Sequence, residues 1–141
     1  MKLNISENGK AWKVELADES MHGKNVGDVF DGKEINADLE GYQLEITGGS
    51  DISGFPLSKD VEGLALKRLL LTKGFGMRDS RQGVRLRKTV RGKTISASVT
   101  LINLKVVKAG KKSLVEIFPE QNKPLAPKEE PKAEAVEAPV A

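Results

Sequence analysis

Between Lys73 and Lys93 the chain reads KGFGMRDSRQGVRLRKTVRGK, which holds eight cations and one acid, Asp79. The cations are Lys73, Arg78, Arg81, Arg85, Arg87, Lys88, Arg91 and Lys93. An arginine fork grips two phosphate oxygens at once and stacks on bases, whereas lysine acts as a point charge. In an extended segment Arg85, Arg87, Thr89 and Arg91 fall on one face, about 6.6 Å apart per two residues. Uncompensated like charges repel one another until a polyanion neutralises them, so this segment is the candidate polyanion contact. An ordinary solvated face, paired with acids elsewhere in the chain, would favour interspersed charge over such a block.

Other chemistry is poorly supplied. There are no cysteines, which removes disulfides, thiolate nucleophiles and every Cys-based zinc or iron–sulfur site. The single histidine, His22, sits in the polar stretch SMHGKN and reads as a surface residue. Glu15, Asp18, Glu19, Asp28 and Asp31 offer carboxylates, but nothing in the pattern marks any pair as desolvated. Gly74-Phe75-Gly76 fits neither the dinucleotide fingerprint, since Asp79 stands at the sixth position, nor a Walker A loop. Its glycines serve to turn the chain through positive φ and to bring backbone close to a ligand. No catalytic residue, metal, cofactor or small-molecule substrate is expected.

The kind of polyanion follows from what accompanies the charge. A lipid surface calls for an amphipathic helix with bulky apolar residues, and the glycines and two-residue period argue against one. No helix-turn-helix, zinc finger or basic zipper is visible, which disfavours duplex DNA. Phe75 is the one aromatic in the block, too few for a single-strand stacking platform. Recognition of a structured RNA through its backbone and shape fits best.

The elements that must carry this segment show a period of two. Leu3 and Ile5 alternate with Lys2 and Asn4; Trp12, Val14 and Leu16 with Lys13 and Glu15; Tyr42, Leu44 and Ile46 with Gln43 and Glu45. Each is the pattern of a half-buried strand. Asn8-Gly9 between the first two is a hairpin signal. Leu64–Leu71 suits a strand or a pair of helical turns, and Val84, Leu86 and Val90 share a face. From Ile95 to Val107 the apolar residues switch from odd to even positions, as a bulge or a barrel corner would require. Leu114–Phe118 suits a short closing strand, and Asp18–Met21 and Ile35–Leu39 suit single helical turns. The expected fold is all-β, a small antiparallel, partly open barrel of six to seven short strands with little helix.

The chain of 141 residues carries a formal charge of +3, which conceals three unlike parts. Residues 1–62 have six Lys and no Arg against 13 acids; residues 63–112 have 14 Lys and Arg against Asp79; residues 113–141 have three Lys against six Glu. From Pro119 onward five of the six prolines appear, and no aromatic follows Phe118. A folded RNA-binding domain over 1–118 and a disordered, acidic, Pro/Ala-rich tail over 119–141 are therefore expected. No run of 18 apolar residues suggests a membrane span, and MKLNISENGK lacks the apolar core of a signal peptide. A soluble, intracellular protein, monomeric when free, is the expectation.

The segment YQLEITGGSDISGFPL, Tyr42–Leu57, resembles the signature of the archaeal and eukaryotic small-subunit ribosomal protein family S-six-e. MKLNIS at the start, RLLLTKG at Arg68–Gly74, RKTVRG at Arg87–Gly92 and LINLKVV at Leu101–Val107 resemble the same family in the same order. The resemblance spans about residues 1–112. It implies a barrel-like domain on the ribosomal RNA of the small subunit, in the cytoplasmic ribosome, with neighbouring ribosomal proteins and no catalysis. By position it implies RNA-facing roles for Arg78, Arg81, Arg85, Arg87, Lys88 and Arg91. It makes Gly48, Gly49, Asp51, Gly54 and Pro56 a structural turn near that surface. Eukaryotic members carry Met where Leu57 stands and continue into a long basic helix with phosphorylated serines. This chain has no Ser, Thr or Tyr after Ser113, so that regulation does not transfer, and the short form looks archaeal.

Overall fold

A computed structural model describes residues 1–17 and 20–122. The expected disordered tail from residue 123 onward, and Asp18 and Glu19 of the expected turn at 18–21, lie outside the described residues. The described chain opens with β1 (Lys2–Glu7) and β2 (Lys10–Glu15), paired antiparallel with Leu3 opposite Val14 and Ile5 opposite Trp12. The turn between them is the expected Asn8-Gly9, both at positive φ, 48° and 77°. That geometry matches the twist of the strands it joins.

Five strands form one sheet in the order β2, β1, β7 (Val99–Lys108), β4 (Gln43–Asp51), β3 (Val29–Asp31). Because side chains alternate across a strand, Leu3, Ile5, Trp12, Leu44, Ile46, Ile102 and Leu104 share the buried face. Met21, Val26, Leu39, Leu57, Ile95 and Leu114, from the connections, complete the core. Each such side chain contributes on the order of 1.5–3 kcal/mol through burial. Lys2, Lys13, Asn103 and Lys105 occupy the solvent side.

The change of phase read in the sequence is present. β4 keeps pairing with β7 along its length, but the register slips between Ile46 and Gly48 and again between Ser50 and Asp51. These irregularities bend the far half of β4. Gly49 lies at the bend with no room for a side chain: a Cβ there would overlap the Leu101 carbonyl oxygen and lie 2.9 Å from Leu57 Cδ1. The strand then turns through Asp51–Pro56, with the Asp51 N–H donating to Phe55 O at 2.9 Å and the Gly54 N–H to Asp51 O at 2.9 Å.

After this turn the chain forms a second, two-stranded sheet of β5 (Leu66–Leu71) and β6 (Leu86–Arg91). Leu64–Leu71 thus contributes a strand, not helical turns. Val90 is the one fully buried residue of the ribbon, while Leu86, expected on the same face, is exposed. Two-stranded ribbons are marginal in water, so this one depends on its base. There the Arg91 N–H donates to Pro56 O and the Ser58 N–H to Arg91 O, each at 2.9 Å. Arg91 Nε and Nη2 reach Asp51 Oδ2 at 2.9 and 2.7 Å, and Nη1 donates to Leu64 O at 2.9 Å. The Asp51 side chain is 2% exposed and that of Arg91 13%.

Three expectations need correction. The strands do not close into a barrel. β2 and β3 are the edges of the larger sheet, because β5 and β6 pair with each other and leave as a ribbon, linked to the body by the Leu57–Arg91 bridge. The topology is mixed, since β1 and β7 run parallel. Leu114–Phe118 is not a strand: α1 (Leu114–Ile117) is a single helical turn. Both flanks of β7 are already occupied, and Ser113 N–H donates to the Glu116 carboxylate at 3.3 Å, a local bond that favours helix. Seven strands and little helix otherwise match the reading. Of the turn expected at Ile35–Leu39, Ala37–Leu39 is a 3-10 turn, and another, Gly32–Glu34, precedes the expected span.

Two outcomes are expected. Arg91→Ala strands the Asp51 carboxylate in a dry site and should lower stability by about 3–5 kcal/mol in urea unfolding; a decrease below about 1 kcal/mol would show that the pair is dispensable. Gly49→Ala should cost about 1–3 kcal/mol through overpacking, and an unchanged melting temperature would contradict the tight approach to Leu101.

Candidate nucleic-acid interface

The basic residues are delivered by β5, β6 and the long connection between them. Register pairs Arg91 with Leu66, Thr89 with Arg68, and Arg87 with Leu70. Residues directly opposite in an antiparallel pair share a face, so Arg68, Arg87, Thr89 and Arg91 lie together, interleaved with leucines. Lys67 and Lys88 lie on the other face, beside Val90 and Leu69 respectively.

The connecting segment holds Lys73, Arg78, Arg81 and Arg85, all exposed. Gly74 and Gly76 both adopt positive φ, as the sequence suggested, and leave Phe75 exposed between them. Lys73, Arg81 and Arg85 line an open cleft of about 310 Å³ with Thr72, Gln82, Gly83 and Val84. Three cations around a shallow concavity are chemically suited to a phosphate.

The eight cations do not stand on equal terms. Arg91 is spent inside the fold, so its guanidinium holds the ribbon to the sheet instead of facing outward. Lys93, half-buried, lies 3.3 Å from Glu62, close to the same base. Arg81 grips Asp79, with Nη2 to Oδ2 at 2.6 Å, Nε 3.1 Å from each oxygen, and its backbone N–H to Oδ1 at 3.1 Å. Those bonds, the guanidinium first, hold the Asp79 carboxyl below its ordinary range and raise the Arg81 value. Asp79 is therefore charged at neutral pH, and its attraction for Arg81 is lost as pH falls through that lowered value. Among the described residues no carboxylate pairs with Arg68, Lys73, Arg78, Arg85, Arg87 or Lys88.

Reading along the chain missed Lys67 and Arg68, which look there like an interruption of an apolar run. Their signal was charge in the middle of a strand-length segment, and only pairing with β6 gives it meaning. It also treated residues 63–112 as one positive block. Lys105 and Lys108 instead belong to β7 in the larger sheet, opposite Glu45 and Gln43, apart from the ribbon.

The exposed surface of the ribbon is not purely polar. Leu70 is 59% exposed and Phe75 56%, and Leu64, Leu66 and Leu86 are also open. Apolar side chains thus stand uncovered beside unpaired cations.

Residues 1–119 match the family model described as ribosomal protein S6e. The small ribosomal subunit protein eS6 of Methanocaldococcus jannaschii is 46% identical over 110 residues, covering 78% of this chain and 82% of the relative. That of Archaeoglobus fulgidus is 46% identical over 119 residues, covering 82% and 92%, and that of Nanoarchaeum equitans 41% over 123 residues, covering 85% and 90%. With the family match reaching across the larger sheet and the ribbon, the chain belongs to the ribosomal protein S6e family.

Proposed function

We propose that this protein is a structural constituent of the small ribosomal subunit in the cytoplasm, where it binds ribosomal RNA through the β5–β6 ribbon and its connecting loop and performs no reaction. The observation that carries this is the ribbon itself. It leaves the body with unpaired arginines and uncovered leucines on one projection, and its packing comes from its base alone. Such an element is stable and useful when something else covers it.

Affinity comes chiefly from Lys and Arg on phosphates and the counterions they release. Arg68 and Arg87 supply forks on the same face of the ribbon as the largely covered Arg91; Arg78, Arg81 and Arg85 supply them in the loop, where Lys73 adds a point charge. Leu70 and Phe75 sit against ribose and base faces, or against a neighbouring ribosomal protein. Backbone contacts dominate, so position is set by RNA shape more than by base sequence. Gly48, Gly49, Asp51, Gly54 and Pro56 act indirectly, by setting the angle at which the ribbon leaves β4. The free protein is a monomer.

Arg68→Ala with Arg87→Ala should weaken binding to small-subunit RNA and reduce the log–log salt slope by about 0.7–0.9 for each phosphate no longer neutralised. The fold should be undisturbed, because both side chains are exposed. An unchanged slope removes the ribbon face from the interface. Asp79→Asn frees Arg81 and should tighten binding with a steeper slope; equal affinity would take Arg81 out of the interface. Crosslinks from residues 68–87 to RNA in intact small subunits are expected, and recovery of the protein only at the top of a sucrose gradient would refute membership of the subunit.

A further inference from the structure

One edge of the larger sheet is β2, and it is not bare. Because a two-residue turn makes Glu7 and Lys10 a bonded pair, Trp12 and Val14 also exchange backbone bonds with β1. The backbone groups of Ala11, Lys13 and Glu15 therefore point away from the sheet. Residues 121 and 122, more than a hundred positions later, return to that edge. Gln121 Oε1 accepts from the Lys13 N–H at 2.7 Å and Gln121 Nε2 donates to Lys13 O at 2.8 Å. Asn122, at φ 58°, donates from Nδ2 to Ala11 O at 2.7 Å. A side-chain amide has the donor and acceptor of a peptide group. Gln121 thus occupies Lys13 as a neighbouring strand would, without extending a strand itself.

We infer that Gln121 and Asn122 form an edge guard, which keeps β2 from pairing with β2 of a second copy of this chain. Uncovered edges are templates for strand addition, and folded proteins cover them. The second copy is the fitting occupant because β2 is complementary to itself. In the antiparallel register that places Lys13 opposite Glu15 of the second copy, both residues have outward backbone groups and both lie on the solvent face. The two-fold relation makes that ion pair twice, with Val14 opposite Val14 at the axis. The guard holds Lys13, one partner of that ion pair, and the outward carbonyl of Ala11 beside it.

The test uses the full chain with Gln121→Ala and Asn122→Ala together, studied by sedimentation equilibrium and by amide exchange. The intact chain should stay monomeric. In the double variant the Lys13 amide should exchange about tenfold faster or more at low concentration. It should also dimerise, with that amide protected again as concentration rises. Adding Glu15→Lys places lysines opposite one another and should abolish the dimer, and adding Lys13→Glu as well should restore it. Gln121→Glu, which puts a carboxylate oxygen in place of the donor to Lys13 O, should move the equilibrium in the same direction. A double variant that remains monomeric overturns the inference, whether or not Lys13 exchanges faster, and so does a dimer indifferent to Glu15→Lys.

Discussion

The arrangement of this protein hangs on one ion pair, between the buried Asp51 carboxylate and Arg91. Asp51 ends β4, the strand bonded to β7 at the centre of the sheet, and Arg91 ends β6, the strand that carries the exposed cations. A carboxylate with 2% of its side chain exposed has given up its water, so its oxygens must be served by the protein. Two guanidinium nitrogens serve Oδ2, and the Ile52 N–H serves Oδ1 at 2.6 Å. Desolvation offsets much of the Coulomb energy of such a pair. What the pair does supply is direction. A planar fork bonded to Asp51 and to the Leu64 carbonyl holds the base of the ribbon at one angle to the sheet. It acts together with the backbone bonds of Arg91 to Pro56 and Ser58 and with buried Val90 at the same base.

That placement also sorts the charges. Acids of the first 62 residues meet the basic block at the base of the ribbon, through Asp51 with Arg91 and Glu62 with Lys93. Farther along, the acid that pairs is Asp79, from the basic block itself. Positive charge is neutralised where the fold needs attachment and left open where a polyanion can reach it. The near-neutral total therefore hides a polarity that is both sequential and spatial.

Several elements were legible in advance for local reasons. Asn8-Gly9 sets a turn whose twist suits a hairpin, and alternation in Leu3–Ile5 and Leu44–Ile46 places those residues on a buried face. The switch of phase between Leu101 and Ile102 appears as slipped register against β4. The misread elements depended on distant partners. Leu114–Phe118 has the composition of a strand, yet β1 and β4 already flank the central β7. Lys67 and Arg68 gain their face from β6, and Arg91 looks like Arg85 and Arg87 until Asp51, forty positions away, withdraws it from the surface.

By itself the sequence determined the strand-forming segments, the concentration of arginine in one stretch, the absence of cysteine chemistry and the ordered motifs of the S6e family. All are properties of single residues or near neighbours, set by side-chain volume, charge and backbone preference. Only the tertiary structure decided that the sheets stay open, that β1 and β7 run parallel, which arginine is structural, and that Gln121 and Asn122 reach the edge of β2. Those outcomes rest on pairings between residues far apart in sequence. Whether a cation meets a carboxylate or water is decided by the packing that brings the two together.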